Sequence, residues 1–280
     1  MSWKSIQIGT YMIHTIQNRH GLNMEICVEE HLPQKGLVFI LHGLGGFKDQ
    51  PHITSWAKTF SDEHFTVVRY DGTHSFGASD GGYEDATVTT FMNDLEDVIA
   101  WASKQIWYEE PFWLVGHSLG GMAILLYAEE HPQLIRGIAP IASDLSGTIS
   151  LQSPKYQGNT ILADWKRTGW REEVSSDKKR IKRLKWSHME NRLLYDVFPQ
   201  ANKLTMPVLL IVGTDDISTT PDQQQLLFDQ IPGEKELYVI PNASHNFPNS
   251  QHRSMIEKYM HQWIQKIISL VYDTSYHRWQ

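Results

Sequence analysis

The sequence predicts an α/β protein: a mainly parallel central sheet of about eight strands, flanked by helices and carrying a helical cap. Three observations lead there. Short apolar runs of strand length alternate with helix-length amphipathic segments. A serine framed by glycines, Gly116-His117-Ser118-Leu119-Gly120, stands where one apolar run meets a helical run. Between about Asp144 and Lys203 the alternation stops.

The elements follow in order. Ile6–Ile13 and Asn23–Glu29 read as strands, with Asn18-Arg19-His20-Gly21 as a hairpin connection. Leu37–Leu41 is a buried strand that runs at once into His42-Gly43. Thr54–Phe60 reads as a helix and Phe65–Tyr70 as a strand ending at Asp71-Gly72. Thr87–Gln105 has helical periodicity, because Phe91, Leu95, Val98, Ile99 and Ala102 share a face. Phe112–Val115 is the strand before the serine, and Met122–Ala128 belongs to the helix after it. Ile135–Ala142, Val208–Val212 and Leu237–Ile240 complete the strands. Asp222–Gln230 and Ser254–Leu270 complete the helices.

Residues 1–143 and 204–280 are thus expected to form the core, with 144–203 inserted as the cap. No strand is expected inside the cap. It holds Trp165, Trp170 and Trp186, and six of the eight residues from Lys178 to Lys185 are Lys or Arg. That run reads either as a solvated helix face or as an attractor for an anionic substrate or surface.

Bulk properties narrow the function. A chain of 280 residues suits one large α/β domain. A formal charge of −7 and a pI near 6.0 argue against a general nucleic-acid binder. A single cysteine, Cys27, excludes an intrachain disulfide. The first residues lack the apolar stretch of a secretion signal. No segment has the roughly 18–20 apolar residues of a membrane span. The expectation is a cytoplasmic protein without an integral membrane part. The fourteen histidines are scattered, and no His/Asp/Cys group has metal-ligand spacing, so neither metal nor cofactor is expected.

The chemistry is carried by position. Gly-x-Ser-x-Gly at a strand-to-helix junction is the pattern of a nucleophile elbow, which lifts Ser118 out of the sheet edge. The following helix aims its free N–H groups at the same place. A serine needs a base, and the base needs an orienting acid. His245, on the loop after the last strand, is at the same sheet edge as Ser118. After Val208–Val212 come Gly213-Thr214-Asp215-Asp216, which offer Asp216 as the acid with Asp215 as its rival. The order serine, acid, histidine matches the order expected on this fold. The expected oxyanion donors are the backbone N–H groups of Leu119 and of Leu44, in His42-Gly43-Leu44-Gly45-Gly46. His117 adjoins the serine and is expected to turn away at the elbow. It stands with Trp165, Trp170 and Trp186 as a candidate for the substrate-binding site, because aromatic walls suit a flat apolar acyl group.

These residues resemble the α/β-hydrolase fold family across nearly the whole chain. The resemblance rests on His42-Gly43, Asp71 with Ser75–Gly81, Gly116–Gly121, Gly213–Asp216 and His245. The nearest look is to cinnamoyl/feruloyl esterase-like and monoacylglycerol lipase-like serine hydrolases. The stretch from Ser79 to Thr87 is similar to a turn of those esterases. Gly72-Thr73-His74-Ser75-Phe76-Gly77 departs from the Arg-Gly-x-Gly of many relatives. The resemblance implies hydrolysis of a small-molecule carboxylic ester, aromatic esters included, through an acyl-enzyme and without a cofactor. Lipids, thioesters, amides and carbon–carbon bonds are alternatives for the same three residues, and a non-catalytic binding role is a further one.

Overall fold

The computed structural model describes residues 10–174 and 181–276. The chain begins as a hairpin of β1 (Thr10–Gln17) and β2 (Asn23–Glu30). Gly21 supplies the positive φ (75°) of its turn, and the Asn18 side chain accepts the His20 and Leu22 N–H groups at 2.9 and 3.0 Å. Next come β3 (Leu37–Leu41), α1 (Pro51–Asp62), β4 (Thr66–Tyr70), α2 (Val88–Ala102), β5 (Phe112–His117), α3 (Leu119–Glu130) and β6 (Ile135–Ile141). A long excursion follows, with α4 (Gly147–Leu151), α5 (Ile161–Thr168), β7 (Trp170–Val174), β8 (Ile181–Lys185) and α6 (Ser187–Arg192). The chain then returns to the sheet through β9 (Val208–Gly213), α7 (Pro221–Gln230), β10 (Lys235–Ile240) and α8 (Ser250–Tyr276).

The main sheet has eight strands in the order β1-β2-β4-β3-β5-β6-β9-β10. Only β2 runs against its neighbours; the pairs from β4 to β10 are parallel. Alternation along each strand feeds two cores. Leu37, Phe39 and Leu41 of β3 pack with Leu114, Ile138 and Leu210 under α2, α3 and α7. Val38 and Ile40 of the same strand pack with Val115, Ile141 and Ile211 under α1 and α8. Trp56, Phe60 and Trp263 fill that second layer. Reciprocal capping boxes start α2 (Thr87 with Thr90) and α7 (Thr220 with Gln223), fixing where each helix leaves its loop. Among the described residues, no helix is long and apolar enough to cross a membrane.

The excursion between β6 and β9 differs from the sequence reading. It was expected to lack strands, with the basic run on a helix. Instead β7 and β8 form an antiparallel hairpin in which Arg171 faces Leu184 and Glu173 faces Lys182. Burial alternates with period two along both strands, with Leu184 anchored in the small core beneath them. Arg171 and Leu184 are buried, whereas Glu172, Val174, Ile181 and Arg183 are exposed. Lys178, Lys179 and Arg180 of the basic run lie outside the described residues.

The hairpin, α5 and α6 share a small core of Tyr83, Tyr156, Trp165, Leu184 and Met189. A neck closes the excursion at its base. There Val197 N–H donates to Leu145 O (2.9 Å) and Gly147 N–H to Tyr195 O (3.0 Å).

Candidate active site

β5 ends at His117 and α3 starts at Leu119, so the chain reverses at Ser118 alone. Its backbone sits at φ 52° and ψ −116°, a region costly for a residue with a side chain. Two glycines make the reversal possible. A Cβ at Gly116 would collide with the Gly120 carbonyl, and one at Gly120 with the His42 carbonyl. Ser118 N–H donates to Ile141 O (3.1 Å), and Asp144 N–H to Ser118 O (3.2 Å), which ties the turn to the end of β6.

The loops after β9 and β10 are tied to each other. Asp215 N–H donates to Ala243 O (3.0 Å), and Asn242 N–H to the Thr214 hydroxyl (2.8 Å). This junction brings His245 between Ser118 and Asp216. The His245 ring lies 2.7 Å from Asp216 Oδ2 through Nδ1, and 2.9 Å from Ser118 Oγ through Nε2.

A carboxylate only accepts, so Nδ1 carries the proton, Nε2 is the acceptor, and the Ser118 hydroxyl donates to it. Asp216 also accepts from Ser218 N–H (2.8 Å), Thr219 N–H (2.9 Å) and the Thr219 hydroxyl (2.8 Å). Burial opposes its charge, but the His245 and Thr219 hydrogen bonds outweigh that and hold its pKa below the usual carboxylate range. Asp215 is exposed and, among the described residues, accepts only the hydroxyl of its neighbour Thr214, at 2.8 Å.

The loop after β3 presents a peptide to the same place. The Gly43 carbonyl accepts from His42 Nδ1 (2.8 Å) and Gly46 N–H (2.9 Å). His42 Nε2 in turn accepts Gly72 N–H at 3.0 Å. A trans peptide sets its N–H opposite its C=O, so pinning the Gly43 carbonyl fixes the aim of the Leu44 N–H. Leu119 is the first residue of α3, where N–H groups have no intrahelical acceptor. Among the described residues, neither the Leu44 nor the Leu119 N–H has a hydrogen-bond acceptor.

Buried histidines back the site. His117 does turn from the serine: its Nε2 donates to the His245 carbonyl at 2.9 Å, and its ring packs on His52. Burial drives the pKa of His117 well below normal and that of His52 to about 3, with nearby histidine charge adding to both. His42 is lowered by the same cause. All three are neutral scaffolding around His245.

A cavity has Ser118, His245, His117 and Leu44 in its wall. The three cap tryptophans are elsewhere. Trp165 is 1% exposed, and its Nε1 donates to Leu184 O at 3.0 Å inside the small core of the excursion. Trp186 meets Trp165 edge-on. Trp170 lies on the outer face of the hairpin beneath Arg183. The expected tryptophan wall is therefore corrected: Trp165 and Trp186 pack in the small core of the excursion, and Trp170 on the outer face of its hairpin. The aromatic rings on the cavity wall are Tyr83 and Tyr156. Lys182, from the basic run singled out in the sequence, is in that wall; sequence reasoning missed Lys155, Arg171 and Arg192 there, the Thr219 support of Asp216 and the His42 lock.

Comparison with known proteins agrees with this architecture. The family model for the alpha/beta hydrolase fold matches residues 36–168. A 31.7 kDa protein from the traX–finO intergenic region of Escherichia coli is 24% identical over 255 residues, 80% of this chain and 88% of that protein. The thermostable monoacylglycerol lipase of Bacillus sp. strain H-257 is 25% identical over 226 residues, 74% of this chain and 82% of the lipase. Among solved structures, Est1E from Butyrivibrio proteoclasticus with ferulic acid bound superposes with a TM-score of 0.77 at 19% identity, covering 91% of this chain and 99% of Est1E. Sheet order, elbow and family match together make this chain a protein of the α/β-hydrolase fold.

Proposed function

We propose that the protein is a serine hydrolase that cleaves carboxylic esters through an acyl-enzyme. The observation that supports this most is the continuous relay from Ser118 Oγ through His245 to Asp216, at 2.9 and 2.7 Å. In the reaction, Ser118 Oγ attacks the ester carbonyl carbon while its proton passes to His245 Nε2. The carbonyl oxygen becomes an oxyanion, held by the Leu44 and Leu119 N–H groups. As the C–O bond to the alcohol breaks, His245 returns the proton to the departing oxygen. Water then gives a proton to His245 and its hydroxide to the acyl carbon. The acid leaves, and Ser118 regains its proton. Asp216 keeps His245 in the Nδ1–H tautomer and stabilises the imidazolium between these steps.

The esterase and lipase names among the relatives favour ester substrates. An aromatic acyl group of the kind bound to Est1E would meet Tyr83 and Tyr156 here rather than a tryptophan.

The test is a fluorophosphonate probe followed by a panel of p-nitrophenyl esters. The expected result is one labelled residue, Ser118, with label and turnover both lost in a folded Ser118→Ala variant. Wild-type turnover in that variant would remove Ser118 from the chemistry.

A further inference from the structure

The cavity beside Ser118 is small and almost without hydrocarbon. Its volume is about 180 Å³, below the roughly 300–1,000 Å³ of sites that enclose drug-sized ligands. Such sites are ordinarily lined by hydrophobic and aromatic side chains. Here, among the described residues, Leu44 alone brings a purely hydrocarbon side chain to the wall. Leu44 is also the residue whose N–H is assigned to the oxyanion, so aliphatic contact is confined to the surroundings of the reacting carbonyl. The Tyr83 and Tyr156 rings each end in a hydroxyl.

The rest of the wall is polar and braced. Arg192 pairs with Asp144, and Lys155 (3.5 Å) and Arg171 (3.2 Å) pair with Glu173. A hydrocarbon chain laid on such groups removes their water and returns no hydrogen bond. Two wall hydroxyls are placed for a polar partner instead. Ser153 is 1% exposed, and its hydroxyl has no hydrogen-bond partner among the described residues. Tyr156 is 7% exposed, and its oxygen accepts from Arg171 at 2.9 Å. Its own proton is left to donate, and nothing among the described residues accepts it. The segment that carries both is fixed in place. Ser153 N–H donates to Ser150 O (3.2 Å), Tyr156 N–H to Ser153 O (2.9 Å), and Lys155 N–H to Ile217 O (3.0 Å), next to Asp216.

From the small volume, the scarcity of hydrocarbon and these two hydroxyls, and resting on the serine-hydrolase reading above, we infer that the substrate is a short, hydroxyl-bearing ester, whose hydroxyl pairs with Ser153 and Tyr156 while Ser118 attacks the carbonyl. A buried hydroxyl left facing hydrocarbon costs more than a missing contact. The wall therefore selects against long alkyl esters as well as for hydroxylated ones.

The test uses the full chain and matched esters. Chain length is read from p-nitrophenyl butyrate against p-nitrophenyl octanoate. A hydroxyl on the alcohol side is read from glycerol monobutyrate against propyl butyrate. A hydroxyl on the acyl side is read from methyl β-hydroxybutyrate against methyl butyrate. Butyrate should exceed octanoate in kcat/KM, and at least one hydroxylated ester should exceed its alkyl partner by about tenfold or more. The pair that does so tells which side of the ester faces Ser153 and Tyr156. In Ser153→Ala and in Tyr156→Phe that ratio should fall severalfold. Should Tyr156→Phe not fold, Ser153→Ala decides alone. A loss shared equally by both members of the pair marks a structural effect and overturns the assignment. Ratios near one in both hydroxyl pairs, or a preference for octanoate, would overturn the inference.

If no ester is cleaved, the serine-hydrolase reading fails, and saturation-transfer NMR on Ser118→Ala decides the hydroxyl site separately. Transfer to glycerol monobutyrate or methyl β-hydroxybutyrate that exceeds transfer to its alkyl partner, and that is lost on adding Ser153→Ala, keeps the site. Any other pattern removes it.

Discussion

Two adjacent aspartates have opposite surroundings. Asp216 is 2% exposed and receives hydrogen bonds from two backbone N–H groups and a hydroxyl besides His245, whereas Asp215 lies in solvent. Asp216→Asn is therefore expected to lower kcat by on the order of 10³–10⁴-fold, because an amide cannot hold the Nδ1–H tautomer in the same way. Asp215→Asn should leave kcat near wild type. Steady-state kinetics of the two variants decide the assignment, and equal losses would contradict it. Ser118, Asp216 and His245 were readable because each follows a strand-like run, so chain order alone brings them to one sheet edge. Thr219 and His42 were not readable. Their roles depend on which backbone group happens to face them, and no periodicity encodes that. The charged wall was hidden for a similar reason: Lys155, Arg171 and Arg192 are far apart in sequence and meet only after the cap folds.

At the scale of elements, the strands of the main sheet declared themselves. Leu37–Leu41 and Phe112–His117 are buried throughout, and Leu37–Leu41 and the Phe112–Val115 part of the second read as unbroken apolar runs. The hairpin did not. Its strands are five residues each, rich in Arg, Lys and Glu, and such residues have low strand preference. What holds them is tertiary: Leu184 in the cap core, Trp165 beneath Arg171, and the cross-strand pairs. Trp165→Ala should accordingly cost about 3–5 kcal/mol within the cap. Hydrogen exchange should show faster amides in β7 and β8, while β3, β5 and β9 keep their protection. A uniform loss across all strands would mean that cap and sheet unfold as one unit.

The whole molecule carries a pH dependence set by buried histidines. Burial lowers the pKa of His42 and His117, and takes His52 and His188 to about 3, from an ordinary 6.5. The unfolded chain takes up protons near pH 6.5, but the folded core refuses them until far lower pH. Their contribution to stability is complete above that value and is lost as pH falls toward 3. Glu129 works the other way. Burial raises it from 4.5 to about 8, so its contribution is whole below 4.5 and fades as pH rises toward 8. Burial lowers His31 as well and raises Asp94 as well, so the histidines still outnumber the raised carboxyls below pH 6.5. The melting temperature should be lower at about pH 5 than at about pH 7, read by differential scanning calorimetry. A profile that is flat or rises over that interval would contradict this.

The neck between Leu145 and Val197 has a different kind of consequence. The chain leaves the sheet and comes back at points already joined by backbone hydrogen bonds. Residues can be gained, lost or replaced beyond that joint without shifting a strand. Residues 118, 216 and 245, to which the proposed chemistry is assigned, lie outside the loop it closes, and the cavity-wall residues 155, 156, 171 and 182 lie inside. Evolution, or an engineer grafting a foreign loop, can therefore rewrite substrate choice while inheriting the reaction unchanged.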